Sequence, residues 1–142
     1  MSADKFTFKI VLASVIFNKK GKVLLAKRSE DEEILPGYWG IPGGKMEVND
    51  TEDDAIEKEL KREVKEEVGI EIKSLVYIES HSYKNEKIHI CFTSDLKSGE
   101  PLALDETEKV GWFNLAEAKK LKLTPYTLER IMRAYKIRRD ST

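Results

Sequence analysis

The sequence predicts a mixed α/β fold, with a mixed sheet and helices packed on its faces. Three observations carry that expectation. Residues 6–17 and 23–27 are apolar runs joined by a polar turn at 18–22, the pattern of a strand hairpin. Residues 51–68 contain no Gly or Pro, and Ile56, Leu60, Val64 and Val68 recur every four positions, which is the apolar stripe of a long helix. Beyond Gly69, strand-like runs return at 72–79, 88–94 and 110–113, and an amphipathic segment closes the chain. The 142 residues are the size of one domain, 1–142, long enough to bury a core.

Each element has a local reason. The run at 10–17 follows Lys5 and Lys9 and has the outline of a signal peptide, but it is short, lacks a small-residue cleavage site and leads straight into Asn18-Lys19-Lys20-Gly21-Lys22. It reads as a buried strand. Residues 35–45 hold Pro36, Gly37, Pro42, Gly43 and Gly44, so a loop is expected there, with a short strand around 39–41. Thr51 and Asp54 have the spacing of a capping box, which starts the long helix, and Gly69 stands where a C′ glycine ends it. Residues 115–121 predict a short helix. Thr124-Pro125 looks like an N-cap followed by an N1 proline, opening a last helix whose apolar face is Leu128, Ile131, Met132 and Tyr135.

Bulk composition narrows the function classes. Hydrophobic residues make up 40% of the chain and charged residues 36%, with 25 basic against 26 acidic side chains and a net charge of −1. No global field draws in nucleic acid or an anionic membrane, so an anionic substrate must be met by local cations or a metal. Cys91 is the only cysteine, which excludes an internal disulfide and a cysteine-based zinc site and fits a cytoplasmic setting. No stretch is long enough to span a membrane. His81 and His89 lack metal-ligand spacing with any other His or Cys, and Tyr126 is a candidate pocket edge. The basic tail of Arg130, Arg133, Lys136, Arg138 and Arg139 reads first as a solvated face.

The chemistry lies on the long helix. At about 100° per residue from Ile56, Glu67 falls near 20°, Glu63 near 340° and Glu66 near 280°. The three acids share one sector that overlaps the edge of the apolar stripe. Glu63–Glu66 and Glu63–Glu67 are like-charge pairs, each destabilising by a few tenths of a kcal/mol, and the helix dipole near its C-terminus disfavours them further. A positive partner is therefore expected, either Arg62 or a hard divalent ion. Ordinary surface pairing with Lys58, Lys61 and Lys65 is the competing reading.

The wider context favours the metal. Arg62-Glu63-Val64-Lys65-Glu66-Glu67-Val68-Gly69-Ile70 resembles the Nudix core REUxEExGU, where U is aliphatic, at every defined position. Trp39-Gly40-Ile41-Pro42-Gly43-Gly44-Lys45-Met46-Glu47 is similar to the family's approach to that box, and Gly111-Trp112-Phe113-Asn114-Leu115 resembles its late strand end. There is one departure. Counted from Gly44, the family's first box glutamate falls on Asp50 and its arginine on Lys58, so the box here is four residues longer. That is just over one helical turn and nearly preserves the helix face. A rival register, Lys58-Glu59-Leu60-Lys61-Arg62-Glu63, puts Arg at a carboxylate position and lacks the terminal glycine. The early carboxylate's part is open among Glu47, Asp50, Asp53 and Asp54.

The resemblance implies an α/β/α sandwich with a central catalytic helix and a C-terminal helix. It implies Mg²⁺ (or Mn²⁺) held by Glu63, Glu66, Glu67 and the Gly43 carbonyl, with Arg62 orienting the carboxylates. Arg28, Trp39, Gly44 and Lys45 are the candidate substrate contacts. The base that takes the water proton is open between Glu63 and the loop acids Asp105, Glu106 and Glu108. The expected reaction is hydrolysis of a nucleoside diphosphate linked to another moiety, first a (d)NTP. ADP-ribose or a nucleotide sugar is the alternative, along with a non-catalytic nucleotide-binding module on the same fold. Triphosphorylated RNA is a third substrate class, and the chain's size leaves surface for a homodimer.

Overall fold

The computed structural model describes residues 8–46, 53, 55–84, 86–104 and 106–140. Among these residues seven strands form one mixed sheet: β1 (Lys9–Phe17), β2 (Val23–Arg28), β3 (Trp39–Gly40), β4 (Gly43–Lys45), β5 (Glu71–Tyr83), β6 (Lys87–Ser98) and β7 (Thr107–Phe113). Three helices pack on it: α1 (Ala55–Val68), α2 (Leu115–Ala118) and α3 (Thr127–Asp140). The main path runs β3-β2-β1-β6-β5, with β4 paired to β1 and β7 to β2. The β1–β6 pair is parallel and the others are antiparallel.

The period-2 alternation of the strands produces the layers. On β1 and β2, Leu12, Ile16, Leu24 and Ala26 face one way and meet Leu60, Val64 and Val68 of α1. Val15, Phe17, Val23 and Leu25 face the other way and meet Ala118 of α2 and Ile131 and Ala134 of α3. Both faces of these strands are buried, which is why they read as continuous apolar runs. The expected α/β/α sandwich is the observed one. No helix among the described residues is long and apolar enough to cross a membrane.

The hairpin at 18–22 forms as expected, with Asn18 Oδ1 accepting from the backbone of Lys20 and Lys22 at 3.0 Å each. Gly69 takes φ +74° and ends α1, its N–H donating to the Lys65 carbonyl at 2.9 Å. The proposed Thr51–Asp54 cap lies outside the described residues. Strands β5 and β6 extend well beyond the expected 72–79 and 88–94 because each supplies the other's ladder out to the turn at Lys84 and Glu86.

Two expectations are corrected. The region 41–45 is not all loop: β4 is made by pairing with β1, Val11 to Lys45, Leu12 to Gly44 and Ala13 to Gly43. The last helix does not start with Thr124 as N-cap and Pro125 at N1. Trp39 accepts from the Thr124 N–H and donates to the Lys122 carbonyl, so this segment runs alongside β3, and a turn over Pro125 and Tyr126, with the Thr124 carbonyl accepting from the Thr127 N–H at 3.2 Å, separates it from the helix. Tyr126, at φ +68°, then redirects the chain, and its carbonyl accepts from Arg130. The buried face of α3 is accordingly Thr127, Arg130, Ile131 and Ala134, and Met132 is 49% exposed.

Candidate active site

The apolar stripe of α1 fixes how its acids meet the sheet. With Leu60, Val64 and Val68 fully buried, Glu63 and Glu67 come to the border of that face, over β4. The glycines of β4 are there because of close approach. A Cβ on Gly43 would strike the Leu12 carbonyl of β1, and one on Gly44 would strike the Glu63 carboxylate. The Gly43 N–H donates to Glu67 Oε2 at 3.3 Å. The structure thus brings Gly43, Gly44, Glu63 and Glu67 together. The sequence places Gly69 in the left-handed C′ position only in the longer register of the box, which this geometry supports.

Arg62 organises the rest. Its Nη1 donates to Glu66 Oε1 at 2.5 Å and its Nη2 to Glu63 Oε1 at 3.0 Å. Nη2 also donates to Glu59, a residue outside the REUxEExGU core. Glu59 is only 4% exposed, and a carboxylate that buried requires a charged partner. The signal for it was present: Glu59 lies one turn before Glu63 on the same helix side. Carboxylate contacts drive the Arg62 guanidinium pKa even higher than usual, the Glu59 hydrogen bond first among them. One guanidinium among three carboxylates still leaves the cluster negative.

That donor set fits a hard divalent cation, since carboxylate oxygens and a backbone carbonyl are its preferred ligands. Among the described residues no three acidic, His or Cys side chains are grouped so that all three could hold one metal ion. Mg²⁺ does not need three: it is commonly held by one or two carboxylates, with water and substrate phosphate completing the shell. Glu66 turns towards Arg62 in this conformation, while Glu63 and Glu67 line the glycine strand.

The other candidates are placed as follows. Lys45 is exposed at the end of β4, opposite Val11. Arg28 ends β2 with its Nε donating to the Ile34 carbonyl at 3.0 Å and its Nη2 3.5 Å from Glu32. Trp39 packs edge-on against Phe113, with ring centroids 5.2 Å apart, in the core on the α3 side. Glu108 pairs with Lys27 at 3.0 Å, and Glu106 and Glu108 line an open recess with Ser29, Asp31, Glu32 and Thr107. Asp53 is exposed; Glu47, Asp50, Asp54 and Asp105 lie outside the described residues. In the basic tail, Arg133 pairs with Glu79 at 2.9 Å, Arg138 with Asp95 at 2.5 Å and Arg139 with Asp140 at 3.8 Å, which leaves less charge for an RNA backbone.

A second cluster went unread in the sequence. His81 and His89 are cross-strand partners on β5 and β6. With Tyr83 and Tyr126 they form a patch of rings whose neighbouring centroids are 4.5–5.9 Å apart. Arg130 lies beneath, 5% exposed. Burial first, then the Arg130 charge, push the His89 pKa down to about 4. The ladder links this patch to the glycine strand, because Lys45, Val11, His89 and His81 are successive partners across the sheet. Only that long-range register assembles the cluster, so local sequence carried no sign of it.

Comparison with known proteins agrees with this geometry. The NUDIX domain model matches residues 7–135. An ADP-ribose pyrophosphatase of Methanocaldococcus jannaschii is 31% identical over 125 residues, covering 84% of this chain and 69% of that protein. An 8-oxo-dGTP diphosphatase of Proteus vulgaris is 32% identical over 84 residues, covering 58% of this chain and 70% of that protein. Among solved structures, a MutT protein from Methanosarcina mazei superposes with a TM-score of 0.71 at 24% identity, covering 96% of this chain and 99% of the other.

Proposed function

Because this chain belongs to the Nudix hydrolases, we propose that it is a Mg²⁺-dependent pyrophosphohydrolase acting on a nucleoside diphosphate linked to another moiety, with a (d)NTP, damaged forms included, as its substrate. The observation that carries the reading is the seating of Glu63 and Glu67 against Gly43 and Gly44. Helix carboxylates meet a backbone there with no side chain in the way, and a diphosphate can approach closely.

Glu63, Glu66, Glu67 and the Gly43 carbonyl would hold the ion. Bound Mg²⁺, or Mn²⁺ in its place, supplies charge neutralisation at pyrophosphate oxygens and a lowered pKa for an attacking water. Arg62 keeps the carboxylates oriented through charge-assisted hydrogen bonds. Lys45, exposed at the end of the glycine strand, meets a phosphate of the bound nucleotide. The water proton passes to Glu63, or to Glu106 or Glu108 from the neighbouring loop and strand. The same reading places the protein in the cytoplasm, where the buried Cys91 thiol, its pKa pushed up to about 12, is inert.

The test is turnover of a nucleotide panel with Mg²⁺, covering (d)NTPs, ADP-ribose and nucleotide sugars. Release of pyrophosphate and a monophosphate from an NTP supports the reading. The second reading, ADP-ribose or nucleotide-sugar hydrolysis, draws on the M. jannaschii relative, and the same panel decides between them. A non-catalytic module would bind nucleotides and turn none over.

A further inference from the structure

Glu59 is buried for a reason that packing does not supply. It lies on α1 one turn before Glu63, and its side chain is 4% exposed beside the fully buried Leu60. An apolar side chain at this position would fill the same space without the cost of taking a carboxylate out of water. Among the described residues that carboxylate is hydrogen-bonded by Arg62 alone. Arg62 itself is 40% exposed, so its guanidinium has water to solvate it and does not require a buried acid for its own sake.

The fork of Arg62 shows what Glu59 does. Nη1 donates to Glu66 at 2.5 Å, and Nη2 is divided between Glu59 and Glu63. The N–H groups of a guanidinium diverge at fixed angles in one plane. With one hydrogen of Nη2 held by the buried acid, the other is aimed at Glu63 and the Nη1 edge at Glu66. Exposure rises across the fork in the same order, from 4% at Glu59 through 15% at Glu63 to 56% at Glu66. The side chain with the least room to move thus sets the plane in which the other two are met. Charge works in the same direction. A guanidinium shared only by Glu63 and Glu66 would compete with a divalent ion for their oxygens. Glu59 supplies the counter-charge for Arg62, which leaves the negative charge of Glu63, Glu66 and Glu67 for the ion.

We propose that Glu59 is a positioning residue of the metal site: it docks and neutralises Arg62, and through Arg62 it fixes Glu63 and Glu66 for a divalent cation. It touches neither the ion nor the substrate. This role deepens the metal-dependent reading above and rests on it. It divides the acids of α1 into two kinds, one buried and committed to the arginine, the others at the border of the helix face over the glycine strand.

The experiment is binding of Mn²⁺ alone to the intact protein, read from the loss of the free ion's electron paramagnetic resonance signal, which needs neither substrate nor turnover. Glu59→Ala is expected to weaken Mn²⁺ binding by about tenfold, the low end for groups that orient metal ligands. In Arg62→Lys, which keeps the charge and loses the fork, adding Glu59→Ala is expected to change the affinity by less than about twofold, because the two residues act as one unit. An unchanged affinity in Glu59→Ala overturns the proposal and leaves Glu59 a structural ion pair, whatever happens to the melting temperature. A full tenfold loss on top of Arg62→Lys overturns it as well, since a direct metal ligand acts independently of Arg62. If Glu59→Ala fails to fold, the same comparison is made with Glu59→Gln, which keeps the shape and removes the charge. Failure of the intact protein to bind Mn²⁺ overturns the metal reading and this role with it. Binding that Glu59→Ala leaves intact overturns the positioning role alone.

Discussion

At the scale of single residues, Arg62 and Gly44 bear most of the site's geometry. Arg62 reaches Glu59, Glu63 and Glu66 at once because its fork is planar and wide. A lysine has the charge but one point of contact. Arg62→Lys should therefore weaken apparent Mg²⁺ affinity by about 10–100-fold, the range for groups that orient metal ligands, while the melting temperature changes little. Titration of activity against Mg²⁺ checks this, and an unchanged midpoint would count against the orienting role. Gly44→Ala places a Cβ against the Glu63 carboxylate, so it should depress kcat well beyond any effect on stability. Glu67→Gln keeps an oxygen to accept from the Gly43 N–H but loses the charge. It should fold normally and lose about 100-fold or more of its turnover.

At the scale of elements, α1 was legible and β4 was not, for different physical reasons. The helix announces itself through its own spacing, with an apolar stripe, a stop at Gly69 and acids on one sector. Strand β4 is Gly43-Gly44-Lys45, residues with little strand preference of their own, and exists because β1 offers an edge to pair with. The start of α3 was misread for a similar reason: the Thr124 backbone is committed to Trp39 of β3, a contact 85 positions away in the chain. The β5–β6 pair carries a prediction about pH. His89 faces Tyr83 and, across the strands, His81, with Arg130 and Lys87 adding positive charge. Its pKa falls from 6.5 to about 4 on folding. As pH drops from 6.5 to 4 the unfolded chain takes up a proton that the folded chain does not, so stability declines over that window and levels off below it. His89→Gln should flatten this part of the profile, read by urea unfolding between pH 4 and 7.5. An identical slope in the variant would assign the effect to other groups.

At the scale of the molecule, two cores on opposite faces of one sheet divide the labour. The α1 face fixes the carboxylates over the glycine strand, and the α3 face buries Arg130 beneath a partly exposed ring cluster. The sandwich was predictable because both faces of β1 and β2 are apolar and amphipathic helices follow them in sequence. The placement of the ring cluster on the ladder that leads to the glycine strand was not, since it depends on the parallel β1–β6 register. Whether the carboxylates of α1 and a divalent ion together cleave a nucleotide diphosphate bond is decided by assaying the nucleotide panel with the intact protein and with Glu67→Gln, each with Mg²⁺ and with excess chelator. Hydrolysis of at least one nucleoside triphosphate by the intact protein with Mg²⁺ is expected, with near-complete loss in the chelated and Glu67→Gln samples. Full activity in chelator or in Glu67→Gln, or no hydrolysis of any diphosphate-linked nucleotide, would contradict it.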